Sequence, residues 1–190
     1  PNLQSEIAIL RAALADPGVE EDVKSYDLTW LLHLVGDVHQ PLHCTSRFDH
    51  SDPSGDQGGN LVVISGASSP SICDDPRYCP YGPPTELHAF YDDITGSSSC
   101  LGEVEAAAAT LPKPKQKDAA IGDEVSWVQE SFALAQNVVY APPIGVGDGP
   151  FTLDETYQKA ALSLGRQRIS LAGTRLANLL NESFAKESAH

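Results

Sequence analysis

His33-Leu34-Val35-Gly36-Asp37-Val38-His39-Gln40-Pro41-Leu42-His43 sets an imidazole, a carboxylate and a second imidazole at offsets of four and six residues. Side chains four apart share one face of a helix, so His33 and Asp37 aim a nitrogen and an oxygen donor into the same small volume. Pro41 cannot continue the helix, and His43 swings back toward its end. A second His-x-x-x-Asp pair follows at His88 and Asp92. Mixed imidazole and carboxylate donors without thiolate suit a catalytic zinc site.

Outward from this segment the chain reads as mainly α. The pattern predicts a helix over residues 3–15, with Ile7, Leu10 and Leu14 on one stripe. It predicts a second from Tyr26 to Gln40, apolar on several sides and therefore buried. Residues 44–60 form a polar loop ending Gly58-Gly59-Asn60, and Leu61–Ile64 is a short strand expected in a small β-hairpin. Residues 65–85 read as an ordered surface insertion. A short helix carries His88 and Asp92, and another around Ala106–Ala109 stops before Pro112-Lys113-Pro114-Lys115. Residues 123–139 recur at helical spacing through Val125, Val128, Phe132 and Ala135. Thr152 and Glu155 are the expected capping box of a long helix reaching about Asn181.

The length of 190 residues suits one domain, residues 1–190, and 41% hydrophobic content is ordinary for a globular chain. No apolar run is long enough to span a bilayer, and no signal peptide is visible. The chain begins at Pro1 and contains no Met, the expectation for a processed protein or a fragment. A net charge of −14 disfavours binding of nucleic acid or lipid head groups through a broad basic patch. An anionic substrate stays compatible where bound metal supplies the positive charge. The four cysteines, Cys44, Cys73, Cys79 and Cys100, allow three disulfide connectivities. Cys73 with Cys79 and Cys44 with Cys100 is one of them. An even count fits an exported protein, secreted or periplasmic.

Six His and fifteen Asp give about half a His-x-x-x-Asp pair by chance, so two pairs are weak evidence alone. Each residue also has an ordinary reading. Asp37 can pair with His33 across one turn, and His43 can cap the helix C-terminus. The context favours metal for the five together, because His and Asp on a Leu- and Val-rich helix are costly unless paired or metal-bound. Five ligands are too many for one open zinc and point to at least two ions, with a carboxylate such as Asp37 able to bridge. Two metals about 3.5–4 Å apart make a clamp for phosphoester hydrolysis. His39 faces away from His33 and reads as structural. His50 and His190 have no partner at metal spacing.

The set His33-x-x-Gly36-Asp37-x-x-Gln40-Pro41-Leu42-His43, Gly58-Gly59-Asn60 and His88-x-x-x-Asp92 resembles the zinc-dependent single-strand nucleases typified by the fungal enzymes S-one and P-one, within the zinc phospholipase C superfamily. The Gly55–Asn60 loop is most similar to bacterial members. Trp127–Tyr140 and Gly165–Leu180 resemble the family's closing helices, so the likeness spans nearly the whole chain. It implies a multi-helix fold of the zinc phospholipase C and single-strand nuclease type, with three zinc ions. By resemblance, His33 and Asp37 serve the first zinc, and His43, His88 and Asp92 hold the second. Asp37 also bridges to the third, which makes it the catalytic carboxylate. Asn60 is the substrate-binding candidate.

The implied reaction is hydrolysis of single-stranded DNA and RNA to 5′-phosphate products, with 3′-nucleotidase activity on 3′-nucleotides, by a monomer without membrane contact. Family members carry an N-terminal Trp and further His, Asp and Arg residues upstream of the first His-x-x-x-Asp helix. This chain starts 32 residues before His33, so the resemblance implies the C-terminal portion of a nuclease-like domain. Two alternatives stand beside it. One is a zinc-dependent phospholipase C, whose last ligand pair is typically His-x-x-x-Glu where this chain has Asp92. The other is a truncated, non-catalytic helical domain stabilised by metal.

Overall fold

The computed structural model describes residues 2–50, 53–68, 82–96, 98 and 100–187. Among the described residues, seven α-helices carry the fold: α1 (Leu3–Ala15), α2 (Glu21–Asp37), α3 (Leu87–Asp92), α4 (Leu101–Ala109), α5 (Gln116–Ala119), α6 (Glu124–Leu134) and α7 (Glu155–Glu187). Pro41–Cys44 is a 3₁₀ turn, and Ala135–Val139 is a π turn that prolongs α6.

Helix α1 begins at a reciprocal cap. The Ser5 N–H donates to Asn2 Oδ1 at 2.9 Å, and the Asn2 N–H donates to Ser5 Oγ at 2.9 Å. Its buried residues are Ile7, Leu10 and Leu14, the expected stripe. Helix α2 starts earlier than its apolar pattern predicts, because Glu21 and Asp22 favour the positive end of the helix dipole. It also ends earlier, at Asp37. Gln40 precedes proline and takes an extended conformation (φ −81°, ψ 118°). The chain therefore winds down through tighter bonds, His39 N–H to Gly36 and Gln40 N–H to Asp37.

The expectation that α2 is buried on several sides does not hold. Leu31 and Val35 are buried, while Trp30 and Leu32 are 45% and 48% exposed, because α1 and α7 cover one face only. Along α6 and its π turn the expected stripe is shifted: Trp127, Ser131 and Ala135 are buried, and Val125 and Phe132 face solvent. A buried face that includes Ser is invisible to a purely apolar periodicity.

The β element is not a hairpin. β1 (Ile64–Ser65) pairs in parallel with β2 (Phe151–Thr152), with Ile64 opposite Phe151. Val63 makes an isolated antiparallel bridge with Glu86. Parallel neighbours require a long connection, and here α3 to α6 lie between the two strands. Thr152 sits in β2, its hydroxyl against Ser65 Oγ at 3.0 Å. The cap of α7 is instead Asp154, whose Oδ1 accepts the Tyr157 N–H at 2.8 Å. Cys44 and Cys100 are free thiols rather than a pair. Cys44 donates to the Val38 carbonyl, and burial pushes its thiol up to about 11. Cys73, Cys79, His190 and most of the 65–85 insertion lie outside the described residues.

Two apolar clusters form the core. Ile7, Leu14, Leu31, Val35, Val38, Trp127 and Leu179 join α1, α2, α6 and α7. Leu42, Val62, Leu87, Phe90, Val139, Leu153 and Tyr157 make the second around α3 and the start of α7. The main chain crosses from one cluster to the other between Val38 and Leu42.

A buried polar network underlies that crossing. Arg168 and Arg175, two turns apart on α7, both donate to Glu130 of α6, Arg175 through two bonds of 2.8 Å. Arg168 Nε also donates to the His39 carbonyl at 3.0 Å, and its far nitrogen donates to Ser131 Oγ at 2.9 Å. Ser131 in turn donates to the Val38 carbonyl at 2.6 Å. His39 is 1% exposed. Its Nδ1–H faces the Val35 carbonyl at 2.8 Å, leaving Nε2 to accept from Arg175 at 3.0 Å.

Burial, with the adjacent Arg168 and Arg175 charges, lowers the His39 pKa to about 3. The unfolded chain therefore takes up a proton near pH 6.5 that the folded chain refuses until about pH 3. Stability is complete above pH 6.5 and declines as pH falls toward 3, by up to on the order of 4 kcal/mol. Urea unfolding across this range, in chelator so that metal loss does not contribute, should show that decline. A His39→Gln variant, with no such proton to gain, should flatten it; an unchanged slope in the variant would refute the assignment.

Candidate metal centre

Three elements bring the five expected ligands together. α2 supplies His33 and Asp37, the 3₁₀ turn supplies His43, and α3 supplies His88 and Asp92. They form a row in which imidazole and carboxylate alternate. His33 Nε2 lies 3.2 Å from Asp37 Oδ2, and the same oxygen lies 3.6 Å from His43 Nδ1. His43 Nε2 is 3.1 Å from Asp92 Oδ1, and His88 Nε2 is 3.4 Å from Asp92 Oδ2. The His43 and His88 rings stack with centroids 4.8 Å apart.

Within the row, His43, His88 and Asp92 each offer a donor atom such that all three lie within 4.8 Å of one another. His33 and Asp37 attach at one side through Asp37, and the His33 side chain is 65% exposed. The structure thus assembles a compact triad flanked by a pair, not five equivalent donors round one point.

The surroundings orient the triad as a ligand shell requires. His88 Nδ1 lies 2.8 Å from the Gly58 carbonyl, so this nitrogen carries the proton and Nε2 presents a lone pair toward Asp92. Gly58 can hold that position only as glycine. Its φ is +66°, and a Cβ there would stand 2.5 Å from the Leu42 carbonyl. The loop is secured by Asp56, 2% exposed, which accepts from the Arg47 N–H at 2.9 Å, the Gly59 N–H at 3.2 Å and the Tyr140 hydroxyl at 2.7 Å. Asn60 donates to the Gln57 carbonyl at 2.8 Å, which makes its amide a fastener of this loop.

Gln40 links turn and triad. Its Oε1 accepts the Leu42 N–H at 2.5 Å, and its Nε2 donates to Asp92 Oδ1 at 2.9 Å. His39 is not part of the row, and His50 is exposed in its loop.

The electrostatics favour positive charge in the row. Hydrogen bonding to Asp37 and to Asp92 raises the His43 pKa to about 9, against the opposing effect of burial. Burial alone would raise the Asp92 pKa, but bonds from His43 and Gln40 outweigh it and hold the carboxyl below its usual range. Two carboxylates thus stabilise a cation between them. Where that cation is a proton it sits on His43; a metal bound there would take the place of that proton. The donor set fits zinc: two imidazoles with one carboxylate and no thiolate, one imidazole already fixed in its tautomer. A cleft of about 400 Å³ opens beside the triad, bounded by Asp37, Gln40, His43 and Asp92 and across from them by α7.

The sequence missed Gln40 and the α6–α7 arginine cage as supports. Gln40 stood within the quoted motif without a role, and for the arginines one signal was available. Ala161, Arg168 and Arg175 recur at seven-residue spacing, which puts both arginines in phase with a small core residue.

The chain is 25% identical over 193 residues to Endonuclease 4 of Arabidopsis thaliana, covering 90% of this chain and 56% of that protein. It therefore spans a little over half the length of that relative. The family model described as S1/P1 nuclease matches residues 3–185. That match takes in the His33–His43 segment, the glycine loop, the His88–Asp92 helix and both closing helices, and so the chain belongs to the S1/P1 nuclease family.

Proposed function

We propose that this chain is the C-terminal portion of a zinc-dependent endonuclease that hydrolyses phosphodiester bonds of single-stranded DNA and RNA to 5′-phosphate products, with 3′-nucleotidase activity. The observation that carries this reading is the convergence of His43, His88 and Asp92 beside Asp37, in a chain of this family. The triad would hold one zinc, and His33 with Asp37 would serve a second; Asp37 lies between the His33 and His43 imidazoles. Bound zinc neutralises phosphate charge and lowers the pKa of the attacking water. The chain's own residues do the rest. Gly58 keeps His88 in the tautomer that presents Nε2, Gln40 holds Asp92 in orientation, and the Asp37 carboxyl group lies between His33 and His43.

Zinc-loaded full-length protein offered single-stranded DNA, duplex DNA and phosphatidylcholine tests the proposal. Single strands should be cut fastest and leave 5′-phosphates. Cleavage of the lipid alone would favour a phospholipase, and one tightly held zinc without phosphodiesterase activity would favour a metal-stabilised domain. The proposed setting is secreted or periplasmic, checked by fractionating the source cells. The proposed monomer is checked by light scattering. No helix among the described residues is long and apolar enough to cross a membrane.

Gln40→Asn provides a sharper test of the centre. Asparagine still accepts from the N–H two residues on, so the turn is kept. Its amide falls one methylene short of Asp92. Zinc affinity should drop about 10- to 100-fold, as for other groups that support metal ligands, with little change in melting temperature. Wild-type affinity in a chelator competition would show that the Gln40–Asp92 bond has no bearing on metal binding.

A further inference from the structure

A chain of net charge −14 proposed to cut a polyanion needs somewhere for that polyanion to rest. The cations not already engaged by carboxylates point to the place. Among the described residues, Arg11, Lys24, Arg47, Lys159, Arg168 and Arg175 each lie within 4.0 Å of a carboxylate oxygen. Of the other lysines and arginines whose side chains are described, Lys113, Lys115, Lys117 and Arg166 make no such pair, and they fall in one neighbourhood. Lys113, Lys115 and Arg166 line a groove of about 860 Å³ between the Pro112–Lys115 segment and α7, and Lys117 follows on α5.

The groove is built rather than incidental. Pro112 and Pro114 stiffen its outer wall, and that wall is tied to α7 at two points. Ser170 Oγ donates to the Pro112 carbonyl at 2.6 Å, and Arg166 donates to the Thr110 carbonyl at 2.6 Å. Glu130, which lines the inner wall, is already neutralised by Arg168 and Arg175. Asp118 is the other carboxylate lining the groove. Three exposed lysines and Arg166 outweigh it. The groove also borders the metal centre's surroundings, because Leu164 and Arg168 of α7 line both this groove and the cleft beside the triad.

We propose that this basic groove docks the phosphodiester backbone of a single-stranded polynucleotide whose scissile bond lies at the metal centre. The inference rests on the nuclease reading and adds to it a length dependence. Charge on the groove wall binds phosphates without reading bases, and each phosphate neutralised releases counterions. A long strand reaches the groove and a dinucleotide does not.

The test uses zinc-loaded full-length protein with a thirty-residue oligothymidylate and with dithymidine monophosphate. Combined Lys113→Gln, Lys115→Gln and Lys117→Gln should raise KM for the long strand by about tenfold at low salt. The slope of log KM against log salt should fall by about 2, roughly 0.7 for each lysine. Turnover of the dinucleotide should not change. The corresponding triple Lys→Arg variant keeps the charge and should behave as wild type. An unchanged KM and salt slope on the long strand, an equal loss on both substrates, or a loss in the arginine variant would each overturn the groove. Wild-type protein that cleaves neither substrate would refute the nuclease reading itself, a result distinct from these.

Discussion

Replacing His43 with alanine is expected to remove one zinc ion per chain and to lower turnover by on the order of 10²- to 10³-fold or more, the scale seen when one charge-stabilising group is lost from an active site. His43 is the member of the row that touches both carboxylates, at 3.6 Å from Asp37 and 3.1 Å from Asp92. Its removal leaves His88 and Asp92 as two donors where a zinc ion needs three from the protein. It also leaves two carboxylates facing each other with no cation between them. Asp92→Ala should lose the same ion, because Asp92 contacts both imidazoles of the triad. His33→Ala should cost less, since His33 is largely exposed and meets the row through Asp37 alone. Metal analysis of the dialysed proteins distinguishes these outcomes. Wild-type zinc content in His43→Ala would remove the basis for the metal assignment.

The largest effect on stability is expected at Glu130. Its carboxylate receives three bonds of 2.8–3.2 Å from Arg168 and Arg175, whose side chains are 9% and 0% exposed. Removing one partner of a buried ion pair leaves an uncompensated charge and costs about 3–5 kcal/mol. Glu130 is itself 28% exposed, and both guanidinium groups keep other acceptors, Arg168 on the His39 carbonyl and Arg175 on the Asp118 carbonyl, so Glu130→Ala belongs near the middle of that range. For a domain whose whole stability is about 5–15 kcal/mol, this is a shift of the melting temperature by roughly 10 °C. Arg168 also anchors the His39 carbonyl, so the variant should bind zinc more weakly even while folded. Chemical denaturation measures the first effect and chelator competition the second. A loss below about 1 kcal/mol would mean that the cage relaxes onto water or other acceptors.

Much of this architecture was legible in the sequence. The boundaries of α1, the placement of His88 and Asp92 on one short helix, and three of the helices after residue 100 (α4, α6 and α7, but not the short α5) followed from periodicity and from proline and glycine punctuation. The five expected ligands do meet in one row, because local rules placed each pair and Pro41 turned the chain between them. Two kinds of feature were not legible. One is long-range pairing. β1 meets β2 in parallel across more than eighty residues, and no local pattern distinguishes that from a hairpin. The other is burial of charge. Arg168, Arg175 and Glu130 look like solvent-facing residues until partners on a different helix are known. The over-reading of α2 as buried on several sides has a related cause. Apolar composition says that a face can be covered, and only packing says that it is.

The passage of the chain between the two apolar clusters has a consequence for cohesion. His33 and Asp37 ride on a helix rooted in the first cluster, and His88 and Asp92 on one rooted in the second, with His43 at the junction. Ions held along this row would add a clasp across the seam between two bodies that α6, α7 and the arginine network already join. By mutual linkage, occupancy tightens the seam, and any loosening of the seam lets the ion go. Amide protons lying deep in either body should then exchange faster after chelation, although none of them is near the ion.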